Sequence, residues 1–304
     1  MTATGLAANK AQRHRGTLFV EDAEVISVST FPGDQFITRL AAPKCAEHAV
    51  AGSFVHVQCD ASIPMRRPLS IMRADAAAGR IDVLYKIVGE GLRALAGKQT
   101  GDRLSVIGPI GHGFTTSPER PNTLLIGGGV GIPPMVFLAE TLKDGDADWQ
   151  PLVLMGSEIP FPFTLAKSGL PSTWLPDEII STMPLLEEWQ VPARLASLSD
   201  FDGVYRGYVT ELAREWLNTR GKEELARTEL FACGPTPMLR AVAAMAREYE
   251  LPCQVSLEEF MACAVGGCAG CTVLVQTDAG PAMKKVCVEG PVFDAAAVFP
   301  ASGA

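Results

Sequence analysis

The first third of the chain alternates short apolar runs with polar and turn residues. Between residues 16 and 114, the β-rich segments are TLFVEDAEVISVSTF, QFITRLAA, SFVHVQC, PLSIMRA and RIDVLYKIV. Short strands separated by regular turn signals are typical of an antiparallel barrel or sandwich. One segment, EGLRALA, has helical spacing instead. We therefore predict an antiparallel β-barrel domain over residues 16–116.

After the stretch TTSPERPN, apolar strands alternate with helices. The segments TLLIGGG, PLVLMGS, ARLASL and TELFACG are predicted strands, whereas GYVTELAREWL and PMLRAVAAMAREYE have the apolar spacing of helices. Thr236 and Pro237 suit the cap and first turn of the last helix, and Pro252 ends it. This alternation favours a parallel sheet covered on both faces, so we predict an α/β domain over residues 117–252.

Residues 253–304 form a small predicted C-terminal lobe. It contains the runs QVSLEE and TVLVQ, a DAGP turn and a last strand, MKKVCVEGPVF, that carries Cys287. Residues 1–15 have basic residues but no apolar segment that would suit a secretion signal, and we expect a loose tail. The predicted fold class is multi-domain, with an antiparallel barrel, an α/β parallel sheet and this lobe.

Length, charge and cysteine usage narrow the function. A chain of 304 residues can form two cores, and its net charge of −8 argues against a nucleic-acid surface. No apolar run approaches the ~20 residues that span a bilayer, so we expect no membrane span. Six of the eight cysteines lie at or after Cys233, which suggests a metal site in a reducing compartment, the cytoplasm.

The C-terminal lobe carries the strongest chemical signal. Its cysteines follow the pattern C-x4-C-x2-C-x15-C through Cys263, Cys268, Cys271 and Cys287. This is the spacing with which plant-type ferredoxins hold a [2Fe–2S] cluster. Small residues in the loop let backbone N–H groups turn toward a cluster, and three glycines permit the unusual dihedrals required: Gly266, Gly267 and Gly270.

Two other interpretations of these cysteines stay open. A structural zinc site also takes four cysteine ligands, but zinc sites usually pair two C-x2-C motifs and here only one such pair exists. Free thiols are the second alternative. Cys253 lies outside the pattern, and we interpret it as a packing residue.

Three upstream segments have the composition of a nucleotide site. RRPLSI places a cation, a proline and a hydroxyl on one strand, where a guanidinium can bind a diphosphate, and Gly89 and Gly91 then precede a helix. GGGVG, residues 127–131, lies between a strand and a helix and suits nucleotide binding or a tight turn equally well. ACGPTPM ends a later strand, so Cys233 either borders a nicotinamide ring or is a core cysteine.

In this order the parts resemble the ferredoxin reductase superfamily. More narrowly, RPLS, GGGVG, CGP, the four cysteines and the following EGPVF are similar to the electron-transfer subunits of NAD-dependent dihydroorotate dehydrogenase, over residues 16–299. The resemblance implies FAD, a [2Fe–2S] cluster and NAD(H). It also implies an FMN-containing catalytic dehydrogenase as partner, a heterotetramer with two copies of each subunit, and a role in pyrimidine biosynthesis.

Each cofactor has its own predicted residues. By resemblance, the FAD-binding residues are Arg67, Pro68, Leu69, Ser70, Leu84, Tyr85, Lys86, Gly91 and Leu92. The glycine loop and the CGP strand end supply those expected at the nicotinamide nucleotide, which are Gly128, Gly129, Gly131, Cys233, Gly234 and Pro235.

Two positions depart from the family pattern. Leu92 stands where the family usually has Thr, which removes a hydroxyl near the FAD phosphates. The segment MGSEIPFPFTLAKSG, residues 155–169, has proline and phenylalanine where a polar helix start is usual, so the nicotinamide-nucleotide site is expected to differ in detail. Glu158 disfavours a 2′-phosphate if it faces the ribose, although an exposed surface carboxylate is the ordinary interpretation.

No side chain is predicted to be catalytic. His14, His48, His56 and His112 are scattered, and His112 is expected in a loop or capping role. The predicted function is electron transfer between a partner dehydrogenase and NAD through [2Fe–2S] and FAD, in dihydroorotate oxidation. One alternative is another partner, such as a sulfide dehydrogenase, hydrogenase-associated or ferredoxin:NAD(P) reductase subunit. Another is a non-redox binding module with a zinc-stabilised tail.

Overall fold

The architecture is that of a computed structural model, which describes residues 18–301. The predicted tail at residues 1–15 lies outside this range. Among the described residues, no helix has the length and apolar character needed to cross a membrane.

The first six strands close an antiparallel barrel, which confirms the prediction. They are β1 (Phe19–Phe31), β2 (Gln35–Ala41), β3 (Phe54–Gln58), β4 (Arg67–Asp75), β5 (Arg80–Lys86) and β6 (Arg103–Ile110). Their order around the barrel is β1-β2-β5-β4-β3-β6. Alternate residues of each strand face the interior, where Val55, Val57, Val83 and Tyr85 are buried.

Two short helices interrupt the barrel strands. The helix α2 (Glu90–Ala96) coincides with the predicted segment EGLRALA. The helix α1 (Pro43–His48) was not predicted, because six residues are too few for a helical period to emerge. Pro43 begins α1, a position where the missing N–H of proline costs nothing.

A seven-stranded sheet follows. Its strands are β7 (Asn122–Gly128), β8 (Gln150–Gly156), β11 (Ala193–Ser197), β12 (Tyr205–Arg206), β13 (Thr228–Cys233), β14 (Cys253–Ser256) and β17 (Val292–Asp294), in the order β12-β11-β8-β7-β13-β14-β17. Neighbouring strands are parallel except β14 and β17. A separate pair, β9 (Ala166–Lys167) and β10 (Ser181–Thr182), lies between β8 and β11 in the chain. The strand order reverses between β7 and β13, which marks the topological switch point.

Helices cover both faces of this sheet, as predicted. They are α3 (Ile132–Lys143), α4 (Pro184–Glu188), α5 (Val209–Asn218), α6 (Lys222–Ala226) and α7 (Thr236–Glu248). Leu125 belongs to the buried cluster under α3, whereas Leu124 and Ile126 belong to the cluster under α5 and α7. The predicted cap of α7 at Thr236 is wrong: Pro235 holds the cap position, without a side-chain hydrogen bond.

The C-terminal segment both completes the sheet and forms a lobe of its own. The lobe contains the hairpin of β15 (Thr272–Thr277) and β16 (Gly280–Lys285) with the helices α8 (Val286–Glu289) and α9 (Ala295–Val298). Because β14 and β17 belong to the α/β sheet, the domain boundary drawn at residue 252 falls inside that sheet. The prediction that Cys287 lies on a strand is wrong, because the chain turns into α8 after Lys285.

Candidate functional site

Arg67 on β4 and Gly91 in α2 form one corner of the barrel. A β-carbon added to Gly91 would lie 2.9 Å from Nε and 3.0 Å from Nη2 of Arg67, so only glycine lets the guanidinium lie this close to the helix. Nη1 of Arg67 donates to the carbonyls of Met65 at 2.8 Å and Arg66 at 3.1 Å. Within residues 18–301, Nε and Nη2 make no hydrogen bond, and a guanidinium edge of this kind fits the diphosphate of FAD.

The other residues of the predicted flavin motif follow on β4. Leu69 is buried in the barrel core, whereas Pro68 and Ser70 are partly exposed and lie on the opposite face of the strand. In the register with β3, Pro68 pairs with His56 and Ser70 with Phe54. Pro68 and Ser70 are therefore the members of the motif that a flavin ring can reach.

The second predicted FAD segment divides between the two faces of β5. Tyr85 points into the barrel, where its hydroxyl lies 3.1 Å from Thr38 Oγ1 and burial raises its pKa to about 12. Leu84 and Lys86 lie on the outer face, on the strand that contacts the glycine turn at Gly129–Gly131. Any part that Tyr85 has in a flavin site must therefore come from its backbone.

Leu92 is the residue that departs from the family pattern. It is buried within the barrel cluster, so it acts as a core side chain at this position. A hydroxyl buried at this position would need a hydrogen-bond partner. A leucine side chain needs none, so it suits the apolar surroundings. Leucine therefore offers no hydroxyl at this corner of the barrel, where Arg67 and Gly91 stay in contact.

The glycine turn packs directly on the predicted CGP strand end. A β-carbon on Gly131 would lie 2.3 Å from the carbonyl oxygen of Cys233, and one on Gly128 would lie 3.2 Å from Cδ of Pro235. Gly234 lies against the Cα atom of Gly128 in turn. Gly129 has a φ of +55° and open space where a β-carbon would stand. The turn thus offers bare backbone at the switch point, where nucleotides bind.

Cys233 lies at the carboxyl edge of the sheet beside a carboxylate that sequence reasoning missed. Its thiol is fully buried, and burial together with Glu258 holds its pKa well above the ordinary value, opposed by a hydrogen bond with Ser256. Glu258 follows β14 by two residues and keeps solvent contact, yet desolvation by the surrounding protein raises its pKa to about 7. Its place directly after a strand at this edge was the available signal.

The four patterned cysteines come together around one loop of the C-terminal lobe. The sulfur of Cys271 lies 3.3 Å from that of Cys287, and the backbone N–H of Cys268 points to the sulfur of Cys263 at 3.4 Å. The Cys268 sulfur accepts the N–H of Gly270, also at 3.4 Å. The N–H of Val286 donates to the carbonyl of Cys271 at 3.0 Å, which fixes α8 and Cys287 beside the loop.

The backbone of this loop differs in part from the prediction. Among its glycines only Gly266 has a positive φ, of 82°, and the other left-handed residues are Ala264 and Ala269. Gly267 and Gly270 instead leave space beside thiols, since their added β-carbons would lie 3.9 Å and 3.5 Å from cysteine sulfurs. Both distances are ordinary van der Waals contacts, so of the three glycines only Gly266 is required by the backbone conformation.

Backbone N–H groups of the loop favour the thiolate form of Cys263. Burial raises the pKa of Cys263, but N–H groups from the loop, including those of Val265 and Cys268, outweigh it and hold the pKa at about 7. Among residues 18–301, no group of three or more His, Cys, Asp or Glu side chains is arranged to hold a single metal ion. Four soft thiolate donors with inward N–H groups fit an iron–sulfur cluster.

A buried histidine lies between the flavin motif and the start of the cysteine loop, and sequence reasoning gave it no role. His56 on β3 is fully buried, and neither ring nitrogen has a hydrogen-bond partner within residues 18–301. Desolvation, reinforced by the charge of Arg66, lowers its pKa to about 4, while the backbone of Met261 opposes that shift. His112, expected in a loop, donates its backbone N–H to the carbonyl of Gly290 at 2.6 Å.

Comparison with known proteins gives a consistent picture. The model of the iron-sulfur cluster binding domain of dihydroorotate dehydrogenase B matches residues 258–299. Over 277 residues the chain is 31% identical to the dihydroorotate dehydrogenase B (NAD(+)) electron transfer subunit of Desulforamulus reducens, covering 90% of this chain and 96% of that protein. Its identity to the Bacillus velezensis subunit is 34%, covering 80% and 85%.

Solved structures share the fold. A chain of the NADH-dependent reduced ferredoxin-NADP oxidoreductase superposes with a TM-score of 0.73 at 25% identity, covering 91% of this chain and 90% of that one. The Amycolatopsis cytochrome P450 reductase GcoB follows with a TM-score of 0.59 at 21% identity, covering 77% and 67%. These likenesses confirm the predicted fold class, a barrel joined to a parallel-type sheet and an iron–sulfur lobe.

Proposed function

Because this chain belongs to the family of dihydroorotate dehydrogenase B electron transfer subunits, we propose that it carries electrons between a catalytic dehydrogenase and NAD through [2Fe–2S] and FAD. The observation that carries the proposal is that the three predicted sites are continuous. The glycine turn contacts β5 of the barrel and the backbone of Cys233, and β14, paired with β13, leads into the cysteine loop.

The chain's own part is to hold these groups in series. Arg67 and Gly91 would hold the FAD diphosphate, the glycine turn would hold the nicotinamide nucleotide, and the four patterned cysteines would hold the cluster. When bound, FAD exchanges a hydride with NAD(H) and single electrons with the cluster, which carries one at a time. The side chains then need only bind and orient these groups.

The partner is proposed to dock on the C-terminal lobe. Four large apolar side chains are exposed there, which we call the lobe patch: Phe260 (93%), Val265 (50%), Leu274 (55%) and Met283 (60%). Leu274 and Met283 pair directly across the hairpin, and Cys268 of the cluster loop is exposed too. The other two lie before and within the cysteine loop, and exposed apolar side chains concentrated on one small lobe favour an interaction site. An FMN-containing catalytic subunit docked here would have the cluster loop against its surface. The proposed assembly of the two subunits is a cytoplasmic heterotetramer.

A second candidate function has its own support. The likeness to a chain of the NADH-dependent reduced ferredoxin-NADP oxidoreductase extends over nine tenths of both chains. The same cofactors would then exchange electrons with a different partner. Only the lobe patch, and not the flavin or nicotinamide sites, would distinguish the two.

Isolation of the tagged chain with its native partner tests the proposal. We expect an FMN-containing dihydroorotate dehydrogenase subunit to co-purify and the complex to reduce NAD+ when dihydroorotate is added. Met283→Asp in the lobe patch should abolish co-purification, whereas Val20→Asp, at an exposed position on β1, should not. Co-purification of a ferredoxin or a hydrogenase subunit would favour the second candidate. If the chain keeps its cofactors and no partner co-purifies, docking at the lobe patch is contradicted.

A further inference from the structure

A lysine side chain reaches the cysteine loop from the end of the lobe hairpin. Lys285 is the last residue of β16 and caps the start of α8. Its Nζ donates to the carbonyl of Gly266 at 2.8 Å, in the segment between Cys263 and Cys268. The contact therefore joins the strand that leads to Cys287 to the segment between the first two patterned cysteines.

Main-chain hydrogen bonds fix the position from which this side chain starts. The N–H of Lys285 donates to Oε2 of Glu289 at 2.8 Å. The N–H of the next residue, Val286, donates to the carbonyl of Cys271 at 3.0 Å. In the hairpin register Lys285 pairs with Thr272, the residue after Cys271. The backbone of the lysine is thus tied to the far end of the cysteine loop.

The acceptor of the lysine, Gly266, is fixed in direction as well. Its φ is +82°, a backbone region that favours glycine. A β-carbon added there would lie 2.7 Å from Cγ2 of Val288 in α8. Glycine therefore allows α8 to pack against the loop while the Gly266 carbonyl points to Lys285.

One peptide group links the lysine to a cysteine sulfur. The carbonyl of Gly266 and the N–H of Gly267 belong to the same trans peptide, so they point in opposite directions. Burial raises the pKa of Cys263, but loop N–H groups, that of Gly267 among them, lower it to about 7. A charged donor on the carbonyl polarises the peptide and strengthens the hydrogen bond that its N–H makes. Lys285 therefore acts on the Cys263 sulfur through the peptide between them.

The charge of this lysine is not neutralised by a carboxylate. Within residues 18–301, Lys285 makes no ion pair with Asp or Glu. Glu289 bonds its main-chain N–H and not its ammonium group. The lysine is half-buried, and solvent ions screen a partly buried charge less than an exposed one. The cysteine loop therefore has an unpaired cation beside it.

We propose that Lys285 is a positioning residue that raises the reduction potential of the [2Fe–2S] cluster. The proposal rests on the proposed function, since it requires that the lobe hold this cluster. A cluster on four thiolates is anionic and gains one more negative charge when it accepts an electron, and its potential follows net charge and hydrogen bonds to the sulfurs. A nearby cation stabilises the added charge. Lys285 itself gives up neither a proton nor an electron.

A redox titration of the anaerobically purified full chain, followed by electron paramagnetic resonance of the reduced cluster, tests the role of Lys285. Lys285→Met removes the charge and keeps an unbranched side chain. At a fixed potential it should lower the ratio of reduced to oxidised cluster roughly fivefold, which is ~41 mV at 59 mV per tenfold for one electron. Lys285→Arg keeps the charge and should stay near the wild-type potential. Lys284→Met is the matched control, because it removes the same charge from the opposite face of β16.

The outcomes separate tuning of the cluster from a purely structural role. An unchanged potential in Lys285→Met with full iron content would overturn the proposal, as would an equal fall in Lys284→Met or Lys285→Arg. If Lys285→Met loses its iron, Lys285→Gln keeps a hydrogen-bond donor without the charge and should show the same fall in potential. Iron loss from both variants would overturn the proposal, because the lysine would then only hold the loop. A wild-type chain without the signal of a reduced [2Fe–2S] cluster would defeat the proposed function itself.

Discussion

At the scale of single residues, the glycine turn depends on a position where a side chain would not fit. The glycine turn can lie on the CGP strand end because Gly131 has no β-carbon to meet the Cys233 carbonyl. Gly131→Ala should therefore destabilise the protein by about 3 kcal/mol, since backbone lies on both sides of the contact and neither side can yield as a flexible side chain would. Thermal unfolding of the purified variant measures this loss.

Gly129 provides the matched control. Its φ of +55° is left-handed, but nothing lies within 4 Å of an added β-carbon. Asn tolerates that backbone region, so Gly129→Asn should lower the free energy of unfolding by no more than about 1 kcal/mol. An equal loss in the two variants would show that backbone dihedrals, and not contact with Cys233, govern the turn.

His56 gives the chain a pH-dependent stability. Burial and then Arg66 lower its pKa from about 6.5 to about 4, so the folded protein keeps the ring neutral where the unfolded chain would protonate it. Stability from this residue is thus fully present above pH ~6.5 and falls as the pH drops toward 4, by on the order of 3 kcal/mol. Denaturant unfolding at a series of pH values should show the decline. His56→Gln should lack this part of the slope, and an unchanged slope would contradict the assignment.

The residues that sequence reasoning found and missed differ in a physical way. The four cluster cysteines stand out because their spacing is local and specific to one chemistry. The surroundings of His56 and Glu258 come from distant parts of the chain, such as Arg66 and Met261 around His56. The position of Glu258 just after a strand was a local signal, but the burial of His56 and the raised pKa of Glu258 depend on surroundings that exist only in the folded chain.

At the scale of elements, local periodicity predicted most strands and helices but not long-range pairing. The barrel strands, α2 and the strands that carry the glycine loop and CGP follow from alternation and apolar spacing. The joining of β14 and β17 to the α/β sheet does not, because antiparallel pairing across the 35 intervening residues, 257–291, leaves no local pattern. Cys287 was misplaced for a similar reason: MKKVCVE resembles a strand until the contact of Val286 with Cys271 turns it into α8.

The position of α8 brings the Cys287 sulfur to 3.3 Å from that of Cys271, which makes Cys287 a proposed cluster ligand. Cys287→Ser should lower the iron content and the iron–sulfur absorption of anaerobically purified protein by more than half, because a neutral hydroxyl is a poor ligand beside three thiolates. FAD content should stay unchanged, since α8 lies apart from Arg67 and Gly91. Cys253→Ala is the control, because Cys253 is buried on β14 outside the cysteine pattern. Full iron content in Cys287→Ser, or equal iron loss in the control, would contradict the assignment.

At the scale of the whole molecule, the order of the chain places the three proposed cofactor sites in series. The barrel carries the flavin corner, the glycine turn contacts both β5 and Cys233, and β14 continues into the cluster loop. The lobe patch then lies at the end of this series, on the same lobe as the cluster. A chain arranged in this way would exchange electron pairs with NAD(H) at one end. It would exchange single electrons with a partner through the cluster at the other end.

The most direct test of this account is an anaerobic NADH titration of the purified protein, followed by visible absorption and by electron paramagnetic resonance. Overlapping flavin and iron–sulfur bands that bleach with NADH, together with the signal of a reduced [2Fe–2S] cluster, are the predicted result. A flavin that bleaches while the cluster stays oxidised at every NADH concentration, or an iron-replete protein without iron–sulfur bands, would contradict electron transfer through this chain.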